Sequence, residues 1–179
     1  EDMLEVPKVG FFGECFTFPS VLQEGREWMS IKPSETVTSG RAIDAARGRV
    51  VTFGLGLGYF VYMALRKPEV SGVTVVERAP AVIELFRKYI LPQFPRRNDV
   101  KIVCSDAFDF MKGPMPFDFA FVDIWHDISD GCRLYVKAKQ FEEKHKNVIF
   151  AYWLERSIKC ALADWLLGSV TDTTINTNK

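Results

Sequence analysis

The sequence predicts an α/β fold, a single domain on a parallel sheet of about five strands with helices on both faces. Three observations predict it. Short β-branched runs alternate with stretches of helical periodicity, glycines cluster directly after the first such run, and acidic residues stand at the ends of the runs that follow. Strands separated by helices give βαβ units, whose crossovers are right-handed.

The strand candidates are RVVTF (49–53), VTVV (73–76), VKIVC (100–104), FDFAFV (117–122) and VIFAY (148–152). Between them, residues 59–66 read as a helix closed by Pro68, and 81–90 as a helix whose first turn accepts Pro80. Residues 107–111 and 131–145 continue the alternation, and 154–167 form a terminal helix that Gly168 is expected to stop. Upstream, residues 34–46 read as one helix with Ser34 as its N-cap. The first 32 residues are rich in Phe, Gly and Pro, and VGFF, ECFTF and EWMSI are short strand candidates. The chain thus divides into an N-terminal β-extension (1–32), the α/β domain (33–168) and a polar tail (169–179). The aromatic N-terminal strands offer edges through which a homo-oligomer can pair.

Composition narrows the function classes. Of 179 residues, 47% are hydrophobic and 26% charged, with 23 Lys plus Arg against 23 Asp plus Glu. A net charge of zero gives no sign of a nucleic-acid or anionic membrane partner, and Arg96–Arg97 reads as a solvated loop. No apolar run approaches the roughly 18 residues of a membrane span. The opening EDMLEVPK is charged and unlike a signal peptide. Cys15, Cys104, Cys132 and Cys160 are scattered without a CxxC pair, so reduced thiols and a cytoplasmic location are expected, with no metal site. Cys104, inside VKIVC, reads as a small core residue.

The chemistry concentrates after the strands. The first is followed by GLGLG, with Gly54, Gly56 and Gly58 between a strand and a helix. Such glycines allow a sharp turn and close approach of a ligand to the backbone. A dinucleotide fingerprint needs GxGxxG, and its third glycine position holds Tyr59 here. A P-loop needs a Gly-Lys-Ser/Thr ending, which is missing. Glu77 ends the second strand, where an acceptor-only carboxylate suits a ribose diol, and Arg78 follows it. Asp106 and Ala107 follow the third strand, where the acid can accept an adenine amino group or cap a short helix. FVDIWHD follows the fourth strand. Asp123, His126 and Asp127 there are candidates for general-base work, with a shared metal as the weaker reading.

As an ordered set, these elements resemble the class I S-adenosylmethionine-dependent methyltransferases from about Val50 to Trp153. The resemblance implies a Rossmann-like, doubly wound sheet in the order 3-2-1-4-5, abbreviated at the C-terminus because the usual final hairpin has no counterpart. It also implies S-adenosylmethionine as cofactor. Gly54, Gly56 and Gly58 would lie beside the methionine moiety, and Glu77, Arg78, Asp106, Ala107 and Asp123 would complete the binding site. Methyl transfer to a small-molecule substrate would use Asp123, His126 or Asp127 as the base. Within that superfamily, VVERAPAVIELFRKYILP and SDAFDFM are similar to the spermidine synthases, which makes aminopropyl transfer the alternative activity. A non-catalytic cofactor-binding module is the third reading.

Overall fold

The computed structural model describes residues 17, 19–23 and 25–175. VGFF and Cys15 lie outside them, as does most of ECFTF. The first described elements are an antiparallel pair, β1 (Ser20–Gln23) and β2 (Arg26–Ser30), with Val21 opposite Met29. The region expected as one helix is two, α1 (Pro33–Thr38) and α2 (Gly40–Ala45), broken at Ser39. Thr38, Ser39 and Gly40 are successive weak helix formers, and the Thr38 hydroxyl donates to the Glu35 carbonyl, competing with the helical ladder. Helix α1 starts earlier than expected. Lys32 is its cap and Pro33, which has no N–H to leave unsatisfied, takes the first position in place of Ser34 as cap.

The main sheet contains β3 (Gly48–Phe53), β4 (Val70–Glu77), β5 (Val100–Cys104), β6 (Phe119–Val122) and β7 (Ile149–Tyr152), in the order β5-β4-β3-β6-β7. All four pairings are parallel. This is the doubly wound, Rossmann-like order that the resemblance implies. The intervening helices are α3 (Tyr59–Leu65), α4 (Pro80–Leu85), α5 (Ala107–Met111), α6 (Ile128–Glu142) and α7 (Glu155–Ile175). A single π-helical stretch, Phe86–Ile90, extends α4. Helix α7 runs through Gly168 rather than stopping there; one glycine costs a helix about 1 kcal/mol, too little to end a long one.

Both faces of the sheet are covered, and strand periodicity sorts the side chains. Val50, Phe119 and Phe121 join Phe60 and Val61 of α3 and Phe86 in one core. Val51, Phe53, Ala120 and Val122 join Met111 of α5, Ala138 of α6 and Ile158 of α7 in the other. All four residues of β6 are buried, which explains its lack of alternation. Cys104 departs from expectation. It is exposed, because it ends the edge strand β5 beyond the helical cover. Among the described residues, no helix is long and apolar enough to cross a membrane.

Two basic side chains fasten helix ends to the sheet. Lys67 Nζ donates to the carbonyls of Ile43 (2.9 Å), Asp44 and Ala46 (2.8 Å), satisfying the C-terminus of α2. Arg96 is not the solvated loop residue expected. Its Nη1 donates to Leu65 O (2.9 Å) and Val70 O (3.1 Å), tying the end of α3 to the start of β4. Hydrogen bonds to a charged group contribute about 1.5–3 kcal/mol. Lys67→Met should therefore cost about 2–3 kcal/mol in urea unfolding with the slope unchanged. A loss under 0.5 kcal/mol would mean that the α2 carbonyls are solvated adequately without it.

Candidate functional site

The strand order reverses between β3 and β6, and ligands of open α/β sheets bind at the carboxyl ends beside such a switch. A cleft of about 450 Å³ lies there. The glycine loop forms its floor. All three glycines have positive φ, at 93° for Gly54, 53° for Gly56 and 80° for Gly58, but for different reasons. A Cβ on Gly54 would stand 2.0 Å from the Asp123 carbonyl oxygen, and one on Gly58 would stand 2.4 Å from the Phe86 ring. Those two serve packing. A Cβ on Gly56 would meet nothing within 4 Å, so this residue keeps the cleft open.

Glu77 holds the loop from the side. Its Oε2 accepts from Leu55 N (3.1 Å) and its Oε1 from Ala79 N (2.8 Å). Both oxygens retain a lone pair, and the side chain lines the cleft. Arg78 stands exposed at the rim beside it. Asp106 is the N-cap of α5, with Oδ1 accepting from Phe108 N (2.8 Å) and Asp109 N (3.1 Å). Capping occupies one oxygen only, and Asp106, Ala107 and Phe108 all line the cleft. The Lys137 ammonium sits 3.9 Å from the Phe108 ring centroid, fixing that aromatic wall from outside.

The DIWHD segment separates into three roles. Asp123 follows β6 and enters the cleft. Its carboxyl group takes no hydrogen bond from any described residue, and burial, reinforced by the negative charge of Glu35, pushes its pKa up to about 7. Trp125 is buried and lies nearly parallel to Tyr152, at 13°. His126 is exposed at the rim, its Nδ1 3.4 Å from Asp130 Oδ2. Asp127 lies outside the cleft. It forms a capping box with Asp130 at the start of α6, accepting from Ser129 N (2.7 Å) and Ser129 Oγ (2.6 Å), and these bonds hold its carboxyl below the usual range. Asp123, His126, Glu77, Arg78, Asp106 and Ala107 are thus brought to one cleft with Gly54 and Gly56, while Gly58 and Asp127 stand behind it. Among the described residues, no group of three or more His, Cys, Asp or Glu could hold a metal ion.

Residues that sequence reasoning did not single out also line the site. Lys32, Glu35 and Ser39 reach it from α1 and its flanks, and Trp153 reaches it from the end of β7. The Trp153 Nε1–H donates to Thr38 Oγ1 (2.9 Å), clasping α1 against the sheet. No local pattern marks Glu35, because the residue on which its negative charge acts, Asp123, stands 88 positions away.

The raised Asp123 pKa has a defined sign. An acid bound more tightly to its proton in the folded state than in the unfolded one makes stability fall as pH rises from the ordinary carboxylate value toward 7. Asp123→Asn should therefore be neutral near pH 3.5 and stabilising at pH 8, on the order of 2 kcal/mol. Thermal melts of both proteins across that range check this. An equal effect at both ends would exclude titration of Asp123 as its source.

No family model matches the sequence, and no curated protein matches it. Solved structures do. Spermidine synthase from Thermotoga maritima overlays 72% of this chain at a TM-score of 0.52 and 17% identity. The chain spans 47% of that protein, about half its length. Weaker overlays include a dimethyladenosine transferase from Plasmodium falciparum (TM-score 0.42, 20% identity, 60% of this chain and 37% of that one). Another is the C-terminal domain of precorrin-6Y C5,15-methyltransferase from Rhodobacter capsulatus (0.43, 17%, 59% and 57%). The architecture shared with the spermidine synthase is a Rossmann-like α/β fold on a parallel sheet.

Proposed function

We propose that this protein is an S-adenosylmethionine-dependent transferase that methylates a small-molecule acceptor. The observation that carries the reading is the cradle at Gly56, where positive φ and open space meet a glutamate already fixed beside the loop. The residues suit the cofactor. Glu77 would accept from the ribose hydroxyls, Asp106 Oδ2 from the adenine amino group, and Ala107 and Phe108 would wall the ring. The cofactor supplies an electrophilic methyl group when bound. The protein would hold the acceptor in line with it, so positioning provides much of the acceleration. Asp123 is the base this reading favours, since it lines the cleft and burial there pushes its pKa up to about 7. His126 would be a second proton carrier at the rim, and Asp127 a structural cap.

Calorimetric titration with S-adenosylmethionine, S-adenosylhomocysteine and decarboxylated S-adenosylmethionine tests this. Micromolar binding of the first two supports methyl transfer. A clear preference for the decarboxylated form would favour aminopropyl transfer. Failure of a folded protein to bind any of the three overturns the reading.

A further inference from the structure

We propose that a second cavity, between α4 and the end of β5, binds a small polyol phosphate, with the phosphate on Arg87 and Lys88 and the hydroxyls on Glu84. This site is independent of the transferase reading.

The cavity measures about 440 Å³ and is lined by Pro80, Ile83, Glu84, Arg87, Lys88 and Cys104, none of which lines the first cleft. That volume suits a small molecule. Side chains alternate along a strand, so Val100, Ile102 and Cys104 share one face of β5. Val100 and Ile102 pack against the core that Val82 of α4 joins. Cys104 lies past that contact and is exposed, so the cavity opens where the helical cover of the edge strand ends. The register partner of Cys104 is Glu77, which lines the first cleft, so the two sites adjoin at the ends of β4 and β5.

The charges around this cavity are left unpaired for a backbone reason. In a regular α-helix Glu84 would stand three residues before Arg87 and four before Lys88, spacings at which ion pairs form. Here the π-helical stretch Phe86–Ile90 takes over from α4 at that point. Its wider turn shifts the register, and Glu84, Arg87 and Lys88 form no ion pair with a described residue. All three are exposed. The Lys88 ammonium is steadied 4.9 Å from the Tyr89 ring centroid. Single π-helical turns within helices are frequent at functional sites.

The donor and acceptor types name the ligand class. A planar guanidinium fork beside an ammonium matches a phosphate group, whose oxygens can accept from both. A carboxylate only accepts, so Glu84 suits hydroxyl donors. Buried Ile83 and neighbouring Pro80 supply apolar surface for a short carbon chain. A phosphate on a hydroxylated chain uses all of these groups. Inorganic phosphate leaves Glu84 facing an anion, and a neutral polyol leaves both cations without a counter-charge.

Cys104 provides the readout. Its alkylation by iodoacetamide in the full chain, followed by mass spectrometry of its peptide, reports occupancy of the cavity. The probes are glycerol 3-phosphate, n-propyl phosphate, inorganic phosphate and glycerol. Glycerol 3-phosphate should slow alkylation at least fivefold at saturation. Its half-protecting concentration should lie at least fivefold below those of n-propyl phosphate and inorganic phosphate, and glycerol should give no protection. Arg87→Gln should raise that concentration tenfold or more, and Lys88→Gln threefold or more. Glu84→Ala should abolish the preference for glycerol 3-phosphate over n-propyl phosphate. Circular dichroism confirms that each variant is folded, and Lys88→Gln decides alone if Arg87→Gln is not. Alkylation unaffected by any probe, equal protection by glycerol 3-phosphate and inorganic phosphate, or undiminished protection in the Arg87 and Lys88 variants overturns the proposal.

Discussion

Glu77→Ala is expected to weaken S-adenosylhomocysteine binding at least a hundredfold while the fold persists. Two losses combine. The Leu55 and Ala79 amides each lose a charged acceptor, so the glycine loop is no longer held against the end of β4. In the proposed cofactor complex the ribose hydroxyls would lose theirs too. Hydrogen bonds to a charged group contribute about 1.5–3 kcal/mol each, and two correspond to roughly a hundred- to ten-thousandfold in affinity. Glu77→Gln should be nearly as damaging. One of its two positions becomes an NH₂ facing a backbone N–H, which repels instead of accepting. Calorimetry on both variants checks this, with circular dichroism confirming the fold. Binding retained within threefold in the alanine variant would remove Glu77 from the site.

The second large effect separates the glycines. Gly54→Ala should destabilise the protein by about 4 kcal/mol or prevent folding. Its Cβ would stand 2.0 Å from the Asp123 carbonyl oxygen, a backbone atom directly after β6 that cannot yield cheaply. Gly56→Ala should cost only the left-handed strain, about 1–2 kcal/mol, because its Cβ enters open space. Binding should rank differently. Gly56→Ala remains folded yet loses S-adenosylhomocysteine affinity tenfold or more, since the added methyl occupies the cleft. Chemical denaturation and calorimetry on the same two proteins measure both quantities. Equal destabilisation by the two substitutions, or undiminished binding in Gly56→Ala, would mean that these glycines do not divide packing from ligand approach.

Much of this architecture was legible along the chain. Strand periodicity and the spacing of GLGLG, Glu77, Asp106 and Asp123 are local patterns, and a parallel sheet of βαβ units converts them into positions along one edge. The strands therefore appear where their β-branched runs predicted, and the candidate residues after them, Gly58 and Asp127 excepted, line one cleft. The errors fall where local signals compete. A weak run at Thr38, Ser39 and Gly40 broke one predicted helix into two, and Gly168 failed to stop α7. Cys104 looked apolar by its neighbours but ends an edge strand.

What the sequence by itself determined was the α/β class, the strand order that its family resemblance implied, and the line of residues beside the switch point. The tertiary structure decided the division of labour among them. Asp123 and Asp127 are four residues apart and chemically identical. One is enclosed, with burial pushing its pKa to about 7, while the other is exposed and committed to capping α6. Gly54, Gly56 and Gly58 share one motif, yet only Gly56 faces open space. Glu35 carries no signal of its own and lines the cleft because α1 is tied to Trp153 just past the end of β7. Burial, close approach and through-space charge depend on which surfaces meet, and linear spacing does not encode those meetings.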